Sequence, residues 1–97
     1  MKEIIKFDSG WLAKSFCVEF YKDSHQITLT LIRKGITKEF KLLGVLDVSC
    51  IGEIMNSHHI EILENYSGQL EFGRFKLGFT QESYIEIFFD KLEERFD

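Results

Sequence analysis

Two stretches in the first third of the chain alternate between apolar and polar side chains with a period of two. They span residues 15–21 and 26–34, and their alternating apolar residues are Phe16, Val18, Phe20, Ile27, Leu29 and Leu31. Successive side chains of a β-strand point to opposite faces, so this period indicates two strands that each bury one face. The polar residues 22–25 favour a hairpin between them, and Lys34-Gly35 supplies a second turn into residues 36–43. The pattern predicts a three-stranded antiparallel meander.

The rest of the chain also has the sequence pattern of β-strands. A short edge strand is expected at residues 3–7, and the apolar residues between positions 39 and 62 predict further strands that include residues 45–51 and 58–64. The pattern of residues 69–79 predicts another strand, with Gly73 at a bulge or tight turn.

The C-terminal element is ambiguous. Ile85, Phe88, Phe89 and Leu92 fall at helical spacing, and residues 83–86 fit a capping box. Alternation of Ile85, Ile87 and Phe89 indicates a strand instead, as does the β-propensity of a run of Tyr, Ile and Phe. The strand is the preferred interpretation.

Length and composition predict one domain over residues 1–97. The 44% of hydrophobic residues can form a core, and proline, which interrupts strands and helices, is absent. The expected fold is mainly β: an antiparallel meander forming a sandwich or flattened barrel of about six to eight strands, with a C-terminal strand or helix. Neither a signal peptide nor a membrane-spanning segment is apparent, which predicts a cytoplasmic protein.

Residues that could carry chemistry do not form a recognisable motif. Cys17 and Cys50 are far apart and alternate with apolar neighbours, so we expect both to be small core residues. His58 and His59 are adjacent, point to opposite faces of a strand and have no ligand set around them, and His25 stands alone. The sequence therefore predicts neither a metal nor a cofactor, and it favours a protein that is not an enzyme.

Charge is unevenly distributed. Residues 1–48 carry eight Lys/Arg and six Asp/Glu, whereas residues 49–97 carry four and ten, and no lysine or arginine lies between Leu42 and Gly73. This acidic half argues against nucleic-acid binding and favours a basic protein partner. The carboxylates would steer the partner and nearby aromatic rings would anchor it. The predicted partner-binding residues are Asp47, Glu53, Glu61, Glu64, Tyr66, Glu71 and Phe72.

The order of these segments resembles small β-rich bacterial immunity proteins encoded beside polymorphic toxins, including those of contact-dependent growth inhibition. The resemblance is carried by Phe-Asp-Ser-Gly-Trp-Leu at residues 7–12, by Phe-Lys-Leu-Leu-Gly-Val-Leu-Asp-Val at residues 40–48, and by Ser-His-His-Ile-Glu-Ile at residues 57–62. It implies a cytosolic antitoxin that binds one cognate toxin domain, commonly a nuclease, and occludes its active site.

Binding of an apolar small molecule is an alternative function. The ten phenylalanines are first of all core residues, but they could also line the cavity of a small β-barrel that binds an apolar small molecule. Binding of that kind would need an interior that side chains do not fill.

Overall fold

The computed structural model describes residues 2–64 and 73–96. Its elements in chain order are β1 (Lys2–Ile5), β2 (Leu12–Phe20), β3 (His25–Arg33), β4 (Ile36–Val45), a 3₁₀ helix (Ile51–Asn56), β5 (His58–Glu64), β6 (Phe75–Thr80), β7 (Tyr84–Phe89) and β8 (Lys91–Phe96).

These strands form two antiparallel sheets of four strands each in a sandwich-like single domain. The first sheet has the order β1-β5-β6-β7, and the second has the order β2-β3-β4-β8. Each sheet is a three-stranded meander completed by a strand from the opposite end of the chain, because β1 pairs with β5 and β8 pairs with β4. The mainly β fold and the meander of β2, β3 and β4 are confirmed.

The hairpin between β3 and β4 shows why its sequence specifies a tight turn. Lys34 and Gly35 have φ angles of 50° and 79°. Both central residues of a two-residue type I′ turn need positive φ, and this turn matches the right-handed twist of the strands that it joins. The hairpin register runs from Arg33 opposite Ile36 to Gln26 opposite Leu43.

The core lies between the two sheets and follows the period of two. The largest fully buried side chains are Phe40, Phe79, Phe89, Ile27, Leu29, Leu31, Leu42, Ile54, Ile60, Ile62 and Leu77. Almost all of them alternate along β3, β4, β5, β6 and β7, so each strand contributes every second residue to one shared interior.

The predicted strand over residues 45–51 is wrong. β4 ends at Val45, and the chain enters the 3₁₀ helix at Ile51. Ile51, Ile54 and Ser57 are buried at intervals of three, which is the repeat of a 3₁₀ helix and not of a strand. Ser57 also donates its hydroxyl to the carbonyl of Ile54 at 2.6 Å, which caps this short helix.

The C-terminal segment contains two strands where the sequence suggested one element. The preference for a strand is confirmed, but β7 and β8 belong to different sheets and only Asp90 separates them. The Asp90 amide donates to the carbonyl of Leu43 at 2.8 Å, which fastens this crossover to β4.

The expectation that both cysteines are core residues is also wrong, since Cys17 and Cys50 are exposed free thiols. Cys17 lies on β2 between Phe16 and Val18, which face inward, and Cys50 immediately precedes the 3₁₀ helix. The alternation correctly predicted that β2 has two faces, but the Cys17 thiol lies on the exposed face and not on the face toward the core.

Truncation of a core ring should destabilise the fold far more than the same truncation at the surface. Phe40 on β4 has no exposed surface, whereas Phe20 at the end of β2 is 71% exposed. We expect Phe40→Ala to lower the free energy of unfolding by about 3–5 kcal/mol, through lost apolar burial and the cavity left behind. Phe20→Ala should cost about 1 kcal/mol or less. Urea unfolding of both variants measures the difference, and equal losses would contradict this assignment of the core.

Candidate functional site

The predicted partner-binding residues divide into two groups. Asp47, Glu53, Glu61 and Glu64 belong to the described part of the chain, whereas Tyr66, Glu71 and Phe72 lie outside the described residues. The first four occupy different elements, so their positions decide how many can act together.

A groove runs along the outer edge of β7. Residues 85–88 form one wall, and the loop after β4 forms the other wall. Alternate residues of a strand point to opposite faces, so four consecutive residues can line one groove only where it follows the strand's edge. The groove therefore borders the side of β7 that is not paired with β6. The volume of this groove is about 230 Å³.

The groove is apolar with acidic charge. Leu46 is 74% exposed and Phe88 is 37% exposed, which are large values for such residues. Among the residues that the structure describes, the charged ones that line the groove are Asp47 and Glu86, and none is a lysine or an arginine. An apolar surface with carboxylates suits a partner side chain that has an aliphatic stem and a cationic head.

Asp47 is held in place by a local turn. Its carboxylate accepts hydrogen bonds from the backbone amide of Ser49 at 2.9 Å and from the Ser49 hydroxyl at 2.7 Å. These hydrogen bonds from Ser49 lower the pKa of Asp47 from its usual value, because they favour the ionised form. Since both donors are neutral, Asp47 keeps its full negative charge beside the groove.

Glu61 belongs to a charged cluster on the outer face of the first sheet. The Lys76 ammonium lies 3.6 Å from Glu61 and 3.1 Å from Glu86, and it also lies 5.3 Å from the centre of the Tyr84 ring. Tyr84 donates its phenolic hydrogen to Glu61. Residues on β5 and β7 thus share one lysine of β6, the strand between them.

Gly78 makes room for this cluster, which is defined by Glu61, Lys76, Tyr84 and Glu86. It stands opposite Glu61 on β5 and Glu86 on β7. A Cβ atom at this position would come within 2.8 Å of the Glu61 carboxylate and would also collide with the Tyr84 ring. The missing side chain lets the phenol cross the sheet to reach Glu61.

The environment of the cluster shifts two pKa values. Partial burial alone would lower the pKa of Lys76, but hydrogen bonds to Tyr84 and Glu86 and the attraction of Glu86 outweigh it, so the pKa is raised. Burial, followed by the hydrogen bond to Glu61, raises the pKa of Tyr84, and Lys76 opposes that shift only in part.

The structure brings some of the predicted residues together and separates others. Asp47 shares the groove with Glu86, and Lys76 links Glu86 to Glu61, so Asp47 and Glu61 belong to one continuous surface. Glu53 is exposed on the 3₁₀ helix and does not line the groove. Glu64 is half-buried at the end of β5, where it stands opposite Lys2 on the other edge strand.

Sequence reasoning missed the residues of β7. Glu86 and Phe88 line the groove, but neither was among the predicted partner-binding residues. The alternation of residues 84–89 could have identified them, because in a strand it places Tyr84, Glu86 and Phe88 on one face. Leu46 was missed because it was assigned to a strand, whereas it stands in a loop and is mostly exposed.

His59 joins two neighbouring segments of the chain. His59 has a φ of 53°, its ring stacks on Phe7 at 5.1 Å, and its Nδ1 lies 2.6 Å from the Asp8 carboxylate. These contacts connect the segment after β1 to the irregular start of β5. Within residues 2–64 and 73–96, no group of three or more His, Cys, Asp or Glu side chains is arranged to hold a metal ion.

Comparisons with known protein families, curated proteins and solved structures found no match to this chain. In the part of the chain that the structure describes, no helix is long and apolar enough to cross a membrane.

A methyl group at Gly78 should break the charged cluster. Because the added Cβ would displace both Tyr84 and Glu61, we expect Gly78→Ala to lower the free energy of unfolding by about 1–2 kcal/mol. Gly52 is the matched control, since a Cβ there meets nothing within 4 Å. Differential urea unfolding of Gly78→Ala and Gly52→Ala tests this, and a Gly78→Ala protein as stable as its control would contradict the packing.

The raised pKa of Tyr84 predicts a loss of stability at alkaline pH. The folded protein holds the phenol protonated more firmly than the unfolded chain does, so the stabilisation is complete below the ordinary tyrosine pKa of 10.0. It is lost as the pH rises through the folded value, and the raised pKa of Lys76 acts in the same direction. Urea midpoints measured from about pH 9 to 12 should fall less steeply for Tyr84→Phe than for the wild type, with the difference developing above pH 10. Identical slopes would show that Tyr84 titrates as in the unfolded chain.

Proposed function

We propose that this protein is a non-catalytic, cytoplasmic binding protein that neutralises a cognate toxin domain by occluding its active site. The resemblance to bacterial immunity proteins suggests the class of partner, and a basic nuclease domain is the form that fits the charge of the chain. The observation that carries the proposal is the groove beside β7, where both charged side chains that line it among residues 2–64 and 73–96 are carboxylates.

Carboxylates are suitable ligands for a nuclease surface. A site built to bind phosphate presents arginine and lysine side chains, and these form strong charge-assisted hydrogen bonds with a carboxylate as well. Asp47 and Glu86 would take the place of phosphate groups, while Leu46 and Phe88 supply apolar contact area. Such a complex needs no chemistry from this chain.

The net charge would accelerate the encounter. The chain has a formal charge of −4, and its acidic residues are concentrated in the second half. Attraction between surfaces of opposite charge raises association rates, and salt weakens this attraction because the Debye length is only about 8 Å at physiological ionic strength. We therefore expect tight binding whose on-rate depends on salt.

The alternative function, binding of an apolar small molecule, has less support. Side chains with no exposed surface fill the space between the two sheets, as Phe40, Phe79 and Phe89 illustrate. The groove beside β7 holds about 230 Å³, which is below the range of roughly 300–1,000 Å³ that is usual for small-molecule sites. Its size suits a side chain of a partner better than a separate ligand.

Co-expression with the neighbouring gene product tests the proposal. The reading frame next to this gene should encode a protein that ends in a compact basic domain, and production of that domain alone should arrest growth. Co-expression of this chain should restore growth, and the two proteins should co-purify.

Asp47→Lys should slow association about tenfold at low salt, because it reverses a charge at the groove. Glu3→Lys is the matched control, since Glu3 is exposed on β1 at the opposite edge of the same sheet.

Two results would overturn the proposal. Growth arrest that this chain does not relieve, with no complex on co-purification, would exclude neutralisation of that domain. A neighbourhood without any growth-arresting product would remove the toxin from the proposal altogether.

A further inference from the structure

One end of the second sheet carries three large apolar or aromatic side chains that are open to solvent. Leu46 and Phe20 have the highest exposure of all large apolar residues that the structure describes, and Tyr21 is 55% exposed. A single exposed apolar residue is ordinary, whereas several together usually mark an interaction site. The position of these three residues therefore decides whether they form one surface.

Strand pairing brings the three residues to the same place. Phe20 stands opposite His25, and His25 stands opposite Val45, so the ends of β2 and β4 flank the start of β3. Tyr21 and Leu46 are the next residues after those two strand ends. Phe20, Tyr21 and Leu46 together are called the anchor patch.

The anchor patch wraps around the end of the sheet. Phe20 continues the alternation of Phe16 and Val18, which face the other sheet. Tyr21 lies on the outer face, where its hydroxyl donates to the Glu19 carboxylate at 3.2 Å. A partner that covers both rings therefore needs a concave surface, which is the usual form of an active site.

The contact between Phe20 and His25 is poorly suited to stabilising the fold. The two rings meet edge to face with their centres 4.7 Å apart, yet most of the Phe20 ring stays in water. The Nδ1 atom of His25 is buried and has no hydrogen-bond partner among the described residues. A buried polar atom without a partner costs stability, and departures of this kind are concentrated at functional sites.

The charge around the anchor patch suits a basic partner. Residues 19–25 and 45–50 carry three carboxylates against a single lysine: Glu19, Asp23 and Asp47 against Lys22. At the opposite end of the same sheet, the turn of residues 33–36 carries one arginine, one lysine and no carboxylate. A basic protein therefore finds complementary charge at the anchor patch and like charge at the opposite turn.

We propose that the basic partner binds by covering the anchor patch, which becomes the buried apolar centre of the interface while the surrounding carboxylates pair with cationic side chains. This inference rests on the proposed function, since it specifies where the partner is anchored. Aromatic side chains at the centre of an interface commonly carry most of the binding energy, whereas charges at the rim mainly set the association rate. The patch adjoins the groove at Leu46 and Asp47, so the two form one continuous surface.

A second copy of this chain is a poorer occupant of the anchor patch. Two such patches facing each other would bring the carboxylates of both copies together, where like charges repel. The basic turn of residues 33–36 could attract the patch of another copy, but this head-to-tail contact would build rings or open chains of many copies. Sedimentation of the free chain distinguishes these assemblies from the single chain that we expect.

Truncation of the anchor patch should accelerate dissociation of the growth-arresting domain used in the co-expression test. The complex of that domain with each tagged variant is mixed with an excess of untagged wild-type chain, and loss of the tagged chain from the complex gives the dissociation rate. We expect Phe20→Ala to raise this rate about 30-fold and Leu46→Ala to raise it about tenfold. Association rates at low salt should change by less than about threefold, because neither variant alters the charge.

Ile36→Ala is the matched control. Ile36 is also an exposed apolar residue, at 60%, but it lies at the opposite end of the same sheet, so its loss should leave the dissociation rate unchanged. Urea unfolding shows whether all three variants are folded, which we expect because each removes a side chain that is mostly in water. A folded Phe20→Ala chain that no longer co-purifies is the strongest form of the expected result.

Three outcomes would overturn the inference. Equal dissociation rates for Phe20→Ala, Leu46→Ala and Ile36→Ala would exclude the anchor patch from the interface, and growth rescue by the wild-type chain would leave the proposed function intact. Oligomers of the free chain that Phe20→Ala dissociates would assign the patch to a second copy. Absence of any growth-arresting domain, the result that removes the proposed function, would remove this inference with it.

Discussion

The close approach of Asp90 to Gly44 determines how the sandwich is joined at the edge that carries the groove. Gly44 has a φ of +76°, and a Cβ at this position would lie 2.9 Å from the Cβ of Asp90. Glycine is therefore suited to this position on two grounds, its backbone conformation and the absence of a side chain. With the Asp90 amide bonded to Leu43, the crossover from β7 to β8 rests directly on β4. The loop after β4 starts from this junction and runs beside β7, which creates the groove.

Much of the fold could be predicted from side-chain alternation. In β2 and β3 a period of two identified the strands, and Lys34-Gly35 identified the turn, because both signals are local. The segment 45–51 was misassigned because its apolar residues are dense enough to suit either a strand or a loop that covers the core. Only the burial of Ile51 and Ile54 three residues apart distinguishes the 3₁₀ helix.

The ambiguity at the C-terminus has a similar origin. Ile85, Phe88, Phe89 and Leu92 fit a helical face in sequence, but Ile87 and Phe89 are the buried residues of β7 and Phe88 is exposed. Coincident spacings of this kind are common in short, apolar segments. The choice between helix and strand is decided by tertiary structure, because β7 pairs with β6 and β8 pairs with β4.

The candidate site was only partly predictable, because its location depends on topology. The absence of lysine and arginine around Asp47 drew attention to this residue, but no local signal identifies β7 as an edge strand or places Glu86 beside Asp47. Edge position follows from the order of all strands in a sheet, and that order is set by pairings between distant segments, such as β1 with β5. The separation of Glu53 and Glu64 from the groove has the same cause.

The carboxylates of this surface are not equivalent, although the sequence presents them as one acidic stretch. Glu61 and Glu86 already share Lys76, whereas Asp47 is held by neutral hydrogen bonds from Ser49. Glu86 is the more exposed of the two, with 42% of its side chain accessible against 14% for Glu61, so Glu86 is the carboxylate of the cluster that the solvent reaches most easily. Asp47 has no cationic side chain beside it among the described residues that line the groove. The arrangement thus combines one carboxylate that neutral hydrogen bonds hold in place with a second that is paired to Lys76.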